Sequence, residues 1–447
     1  MNMSFIVRRA AELKDAGVEI LHSACSLELL VQTLSGVDCR HRVYDAVSTW
    51  LMYLGQVLSP DHSCRNAIVQ ARAAGLLNTR TSVHTGAYCR ARERLPEDCL
   101  HTLAAGMGAQ LSEAESAQER WHGRRVLIVD GSSVSMPDTP ANQAQYPQPS
   151  AQAPGCGFPV MYLCTLLSLA SGALLDFATG AGAGSELPLW RKLWSLLRSG
   201  DIVLGDRLYC GYADLALLRA RGVDLVVRLG RRKTDFRKGV IFCLQDHLTS
   251  WECPKVPPVW LGAYVLPAAM AVRELRFRVE VPGFRAETIT LATTLTDAGM
   301  YSKEELAALF FQRWQVELRL RDIKTVLGMD QLRTTTPERI RKELWMYLAA
   351  YNLIRTLMYS AAKKNKVPLA RVSFQGCRQR LLALASHACP RRAFPRAYRN
   401  LLRELAHDLN PDRPFRIEPR AVKRRPKQYD LLNQPRAMMR RKLLSAA

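Results

Sequence analysis

The chain has no C-x-x-C pair, although its 447 residues include 12 cysteines spread from Cys25 to Cys389. Its nine histidines form no H-x3-5-H pattern beside them. A zinc site needs clustered thiolate and imidazole ligands, so none is expected. No apolar stretch reads as an anchor: Phe158–Ala178 is interrupted by Ser168, Ser171, Gly172 and Asp176, which suits a hairpin better than a membrane span. The opening segment, Met1–Gly17, carries Arg8, Arg9, Glu12, Lys14 and Asp15 and has no apolar core of a signal peptide. A cytoplasmic protein with reduced, mostly buried thiols is the expectation. Internal repeats are absent. Gly180-Ala-Gly-Ala-Gly184-Ser185 lacks the Gly-Lys-Ser/Thr of a phosphate-binding loop, and reads as a connection.

Positive charge is what the chain has in excess. Lys and Arg number 63 against 40 Asp and Glu, a net +23. Such an excess says nothing about fold but favours a polyanionic partner, nucleic acid before a membrane surface. The segment 391–447 alone holds 16 basic and 5 acidic residues, with Val422-Lys-Arg-Arg-Pro-Lys427 at its centre.

Hydrophobic periodicity divides the chain. Residues 1–120 read as a helical N-terminal domain suited to DNA binding, with helices over Ala11–Leu34, His41–Leu58, Asp61–Ala74 and Val83–Leu95. Ser82 is the expected N-cap of the last, which carries Arg90, Arg92 and Arg94. From Arg125 the period shortens. Val126–Val129, Tyr162–Leu169 and Ala173–Ala178 read as strands, the last two joined at Ser171-Gly172. A helix (Glu186–Leu197), a strand (Asp201–Gly205), a helix (Tyr212–Arg221) and a strand (Val223–Leu229) follow, a pattern that predicts a mixed sheet with flanking helices. Residues 121–229 and 288–375 are the expected two parts of this α/β domain. Between them, 230–287 reads as a β-rich insertion, with Pro254, Pro257, Pro258, Pro267 and Pro282 among short apolar runs. A strand (Thr288–Thr294), a helix through 310–324, another over Thr336–Ala362, and a basic C-terminal region, 376–447, complete the reading.

Two acidic residues stand at strand ends, Asp130 and Asp206, where open sheets place their chemistry. Asp138 in Met136-Pro-Asp-Thr competes with Asp130 for that role. Read as one continuous helix at ~100° per residue, the segment Phe310–Lys324 sets Arg313, Glu317 and Lys324 within ~40° of one another, with Phe310 on the same face. That spacing also allows ordinary i,i+4 ion pairs, Arg313–Glu317 and Glu317–Arg321. Three carboxylates from separate elements suit a hard cation such as Mg²⁺, which takes oxygen ligands. Two such ions support in-line displacement at phosphorus.

Val-Asp130-Gly, Gly-Asp206-Arg207-Leu-Tyr209 and Phe310-x2-Arg313-x3-Glu317-x6-Lys324 resemble the three blocks of a DDE transposase of the insertion-sequence-four family, whose signature is Y-x2-R-x3-E-x6-K. Phe310 stands where Tyr is usual. Met136-Pro-Asp-Thr-Pro-Ala-Asn142, Gly155-Cys-Gly-Phe-Pro159, Tyr351-Asn-Leu-Ile-Arg355 and Pro419–Pro426 extend the resemblance to about residues 125–430. It implies an RNase H-like catalytic core in which Asp130, Asp206 and Glu317 hold two Mg²⁺ ions, with Mn²⁺ a possible substitute. It further implies that Arg313 and Lys324 contact DNA phosphates, and that Trp314, Arg207, Tyr209 and Phe310 help position the DNA end. Double-stranded DNA is the implied partner, as transposon ends and as target, with a homodimer pairing two ends in the bacterial cytoplasm at the nucleoid. An RNase H-like nuclease without strand transfer, and a non-catalytic DNA-binding descendant of a transposase, are the competing readings.

Overall fold

The structure, a computed structural model, describes residues 24–35, 37, 43–182, 184, 186–230, 232–262, 264–279, 287–385, 393–411 and 432–445. The expected helix over 11–23, Pro282 and the basic motif at 419–427 lie outside these residues.

Five helices precede the sheet: α1 (Leu27–Leu34), α2 (Ala46–Leu58), α3 (Cys64–Ala73), α4 (Gly86–Arg94) and α5 (Glu97–Glu113). Ser26, Asp45 and Ser63 cap the first three by accepting backbone N–H bonds from Leu29, Ser48 and Asn66. Ser82 does not cap α4; its hydroxyl takes the His84 N–H, and the helix starts after Thr85. The 17-residue α5 is an element that the periodicity reading did not separate, because its buried face is diluted by Gly106, Gly108 and Ser112.

Nine strands form one mixed sheet in the order β3-β2-β1-β4-β5-β9-β8-β7-β6. They are β1 (Val126–Ser135), β2 (Val160–Ser168), β3 (Leu174–Ala181), β4 (Ile202–Gly205), β5 (Asp224–Arg228), β6 (Val240–Cys243), β7 (Asp246–Glu252), β8 (Ala269–Val279) and β9 (Glu287–Thr293). Strands β1, β2 and β3 pair antiparallel, whereas β4 and β5 run parallel to β1. The order 3-2-1-4-5 with only β2 reversed makes this half of the sheet RNase H-like. The segment 230–287 does not form a separate layer: β6, β7 and β8 continue the same sheet beyond β9. Backbone edges left open by β9 are satisfied there, which is why the addition is antiparallel and contiguous.

Between strands lie α6 (Pro140–Gln145), α7 (Glu186–Lys192) and α8 (Tyr212–Ala220); after β9 come α9 (Lys303–Phe311), α10 (Gln315–Arg321) and α11 (Pro337–Asn365). Three more helices, α12 (Phe374–Ala385), α13 (Phe394–His407) and α14 (Arg436–Ser445), end the described chain. Strand alternation divides the core. Val126, Ile128, Ile202, Leu204 and Val226 face the N-terminal helices and α11, while Leu127, Val129, Val203, Leu225 and Val227 face α7 and α8.

The 29-residue α11 is buried along most of its length and is started by Pro337 at its first turn. Its Tyr351-Asn-Leu-Ile-Arg355 segment clamps the β2–β3 turn. Tyr351 Oη donates to Gly172 O at 2.9 Å. Asn352 Nδ2 donates to Leu174 O at 2.9 Å, and its Oδ1 accepts from Leu174 N at 3.0 Å. Arg355 Nη2 donates to Ser171 O at 2.5 Å. Gly172, at φ +71°, supplies the left-handed turn, and an added Cβ would meet the Arg355 guanidinium at 2.5 Å. Burial pushes the Arg355 guanidinium down to about 9.

Candidate active site

Backbone pairing sets the first two carboxylates. Strand β1 pairs β4 in parallel with Val126 opposite Ile202, Leu127 opposite Val203 and Ile128 opposite Leu204. That pairing ends at Ile128 and Leu204, two residues short of each aspartate, and leaves Asp130 and Asp206 near enough for the charge of one to act on the other. The Asp130 carboxylate accepts from Gly131 N at 3.1 Å, and its backbone carbonyl accepts from Thr165 Oγ1. Asp206 caps the 3₁₀ turn Arg207–Tyr209, accepting from Leu208 N at 2.7 Å. Asp138 is set apart: exposed, it accepts from Gln143 Nε2 at 2.8 Å. Asp130 is not at a strand end either: β1 runs on to Ser135, paired with β2, so the aspartate sits mid-strand, just past the last residue that pairs with β4.

Burial pushes the Asp130 carboxyl up to about 6. The Arg313 guanidinium opposes that rise, while the negative charges of Glu186 and Asp206 add to it. Glu186 is the residue that the sequence reading missed. It opens α7, and Tyr209 Oη donates to its Oε1 at 2.5 Å. Its carboxyl group lies against Gly131, where a Cβ would come within 2.3 Å of Glu186 Cδ. Glycine after Asp130 is therefore a packing requirement, and Glu186 ties the Asp130 strand to the Asp206 turn from the other face of the sheet.

The segment 303–326 is not one helix. After α9 it tightens to 3₁₀ over Gln312–Trp314, resumes as α10, and widens to a π turn over Asp322–Val326. Such changes of winding recur at functional sites. They also cancel the single-face geometry expected of a uniform helix. Arg313 is half-buried with its guanidinium 5.8 Å from the Phe310 ring centroid, near enough to Asp130 to favour its ionised form. Lys324 Nζ donates to Ser132 Oγ at 3.2 Å. Since Ser132 lies two residues beyond Asp130, both share one face of β1, so Lys324 stands beside the aspartate. Burial lowers the Lys324 ammonium below its ordinary range.

Glu317 is exposed on α10, and neither ion pair that spacing allows, with Arg313 or Arg321, is formed. Trp314 is half-buried on the 3₁₀ turn and Arg207 is exposed beside Asp206. Two expected DNA contacts are placed otherwise. Tyr209 is 0% exposed, with its hydroxyl committed to Glu186, and Phe310 is 2% exposed in the core. Neither presents a surface to a duplex. At position 310 a phenyl ring packs without the hydrogen-bond partner that a buried phenol needs, which gives the departure from tyrosine a physical reading.

Among the described residues no group of three or more His, Cys, Asp or Glu side chains stands in a metal-binding arrangement. The donors that do meet, Asp130 and Asp206, are oxygen-only, and the clustered negative charge that raises Asp130 is what a hard cation relieves. The pair fits such an ion; Glu317 is not assembled with it. No helix among the described residues is long and apolar enough to cross a membrane.

Residues 121–353 match the family described as Transposase DDE domain. Over 368 residues the chain is 28% identical to the transposase InsG for insertion sequence element IS4 of Escherichia coli strain K12, covering 79% of this chain and 80% of that one. Identity to the transposase for insertion sequence element IS231B of Bacillus thuringiensis subsp. berliner is 20% over 324 residues, 63% of this chain and 67% of the relative. A solved structure of the piggyBac transposase synaptic complex with hairpin DNA aligns at a TM-score of 0.45 and 11% identity, over 89% of this chain and 85% of that chain. Sheet order and matched residues together define an enzyme class that acts on DNA. The chain belongs to the DDE transposase family, in its insertion-sequence-four branch, whose work is DNA transposition.

Proposed function

We propose that this protein cleaves DNA at transposon ends and joins the freed 3′-OH to target DNA in a divalent-metal-dependent reaction. The observation that carries the reading is the charge of Asp206 acting on Asp130, with the Arg313 guanidinium acting on the same carboxylate and Lys324 bonded to Ser132 two residues along the same strand. Asp130, Asp206 and Glu317 would hold two Mg²⁺ ions, or Mn²⁺ in their place. Bound there, such ions supply activation of the attacking oxygen and stabilisation of the leaving one.

The chain's own residues do the rest. Arg313 and Lys324 offer cationic groups to the phosphate that is cut, and exposed Arg207 offers another to the flanking backbone. Hydrolysis and strand transfer are both displacements at phosphorus, so one site serves both without a covalent intermediate. The excess of basic residues supports duplex binding by charge. Two copies, each holding one end, are the proposed working unit, acting in the bacterial cytoplasm at the nucleoid.

Purified protein, Mg²⁺ and duplex DNA bearing candidate ends test the proposal. Cleavage and joining are expected, with Asp130→Asn and Glu317→Gln each abolishing both while duplex binding persists. Normal cutting by either variant overturns the carboxylate assignment. Cutting without joining favours a nuclease instead.

A further inference from the structure

Cys64 and Cys89 stand apart from the candidate active site. Cys64 is the first residue of α3, Cys89 lies in α4, and their Sγ atoms are 3.7 Å apart. Ten cysteines are free among the described residues, and this is the one thiol pair in contact there. Cys25, Cys164 and Cys377 are buried singly, and Cys243 is exposed singly.

Both thiols are half-exposed and each lines a cavity. One, of about 250 Å³, is bordered by Cys64, Gln56, Tyr53 and Arg92; the other, of about 190 Å³, by Cys89, Arg92, Tyr53 and Arg333. A small oxidant has room to enter either. Gln56 Nε2 lies 3.7 Å from Cys64 Sγ, and the Arg92 guanidinium, bonded to Gln56 Oε1 at 3.0 Å, provides positive charge beside the pair. Burial raises the Cys64 thiol above its ordinary range, and the Arg92 guanidinium opposes that rise. A disulfide needs its sulfurs about 2.05 Å apart, so closing a 3.7 Å gap is within the reach of side-chain rotation.

We propose that Cys64 and Cys89 are an oxidative modification site that closes to a reversible disulfide stapling α4 to α3. With hydrogen peroxide as oxidant the steps balance. One thiolate attacks a peroxide oxygen, the O–O bond breaks, and a sulfenic acid and hydroxide result, the hydroxide taking the proton that the thiol released to give water. The second thiolate attacks the sulfenic sulfur, forming the S–S bond and expelling hydroxide, which takes a proton to give a second water. Two thiols and one peroxide thus yield one disulfide and two waters. Among the consequences is a covalent tie for α4, which carries Arg90, Arg92 and Arg94 and is otherwise held by the buried Tyr88 and Ala91, by Arg92 to Gln56 and by Glu93 to Arg339.

The test uses the full chain and needs no variant for its main readout. The protein is exposed to hydrogen peroxide, its remaining thiols are alkylated, and peptides are mapped by mass with and without dithiothreitol. A Cys64–Cys89 linked peptide, released by dithiothreitol and formed before any other link, is the expected result. Peptides with Cys64 and Cys89 oxidised singly, or linked to other cysteines, overturn the proposal. Thermal melting adds a second measurement: peroxide raises the Tm of the wild-type chain reversibly, and Cys89→Ser removes that rise. An equal rise in Cys89→Ser counts against the staple.

Discussion

Two polar clusters contrast within this molecule: the clamp that α11 places on the β2–β3 turn, and the carboxylate group of Asp130, midway along β1, and Asp206, just after β4. Each forces an ionisable side chain away from its ordinary behaviour. Arg355 is pushed down to about 9, and Asp130 up to about 6. In the clamp, amide and guanidinium groups meet backbone carbonyls directly, and Arg355 stays charged at neutral pH. In the other cluster, negative groups face one another and Asp130 sits near the point of protonation. Asp130 and Asp206 are moreover only half-buried, so both keep contact with solvent. Burial strains both clusters. Only the second combines strain, like charge and access, and that combination marks chemistry rather than architecture.

The contrast can be broken most forcefully at the carboxylates. Asp130→Asn is expected to lower end cleavage by at least about 10³-fold, roughly 4 kcal/mol of barrier, with little loss of Tm; single-turnover cleavage and thermal melting read the two quantities. The clamp should behave in the opposite sense. Asn352→Ala removes both hydrogen bonds to Leu174 and is expected to cost about 3 kcal/mol of stability, seen as a lower urea midpoint, with activity falling only in step with the folded fraction.

Metal-free protein gives a third effect. Because Asp130 titrates higher when folded than its ordinary 3.8, the folded state holds its proton more tightly. This group's contribution to stability is therefore fully present below about pH 4 and is lost as pH rises through about 6, roughly 3 kcal/mol in all. Asp130→Asn should flatten that decline in a melting series, and Mg²⁺ should offset it in the wild-type chain alone. The smallest effect is expected at Arg207. Arg207→Ala should reduce the salt dependence of duplex binding by about one unit of slope, without altering Tm.

The spacing that groups Arg313 with Lys324 assumes one uniform helix, which this segment is not. The Asp-Gly after Val126–Val129 reads as a strand end, yet β1 runs on to Ser135; the two short apolar runs before the aspartates were legible as strands. Glu186 was not: it reads as the first residue of an amphipathic helix, and nothing local shows that β3 delivers this helix against Gly131. A clue existed in the glycine that follows Asp130, since a bare backbone position beside a carboxylate signals close approach. Burial of Tyr209 and Phe310 was hidden for a related reason. An aromatic beside a charged motif has the same sequence appearance whether it faces solvent or core, and here Trp190, 6.0 Å from the Tyr209 ring, settles the matter for Tyr209. The β-rich segment was visible from composition, whereas its merger with the central sheet depends on the pairing of β8 with β9, a long-range choice.

The changing turn width from 303 to 326 sets Glu317 apart from the two aspartates. Asp130 lies inside β1, and Asp206 directly follows β4, which pairs with β1, so both are attached to one sheet. Glu317 rides instead on two turns of α-helix between a narrower and a wider coil. Two of the three carboxylates are thus tied to the sheet, and the third is carried by a helix whose winding changes on either side of it.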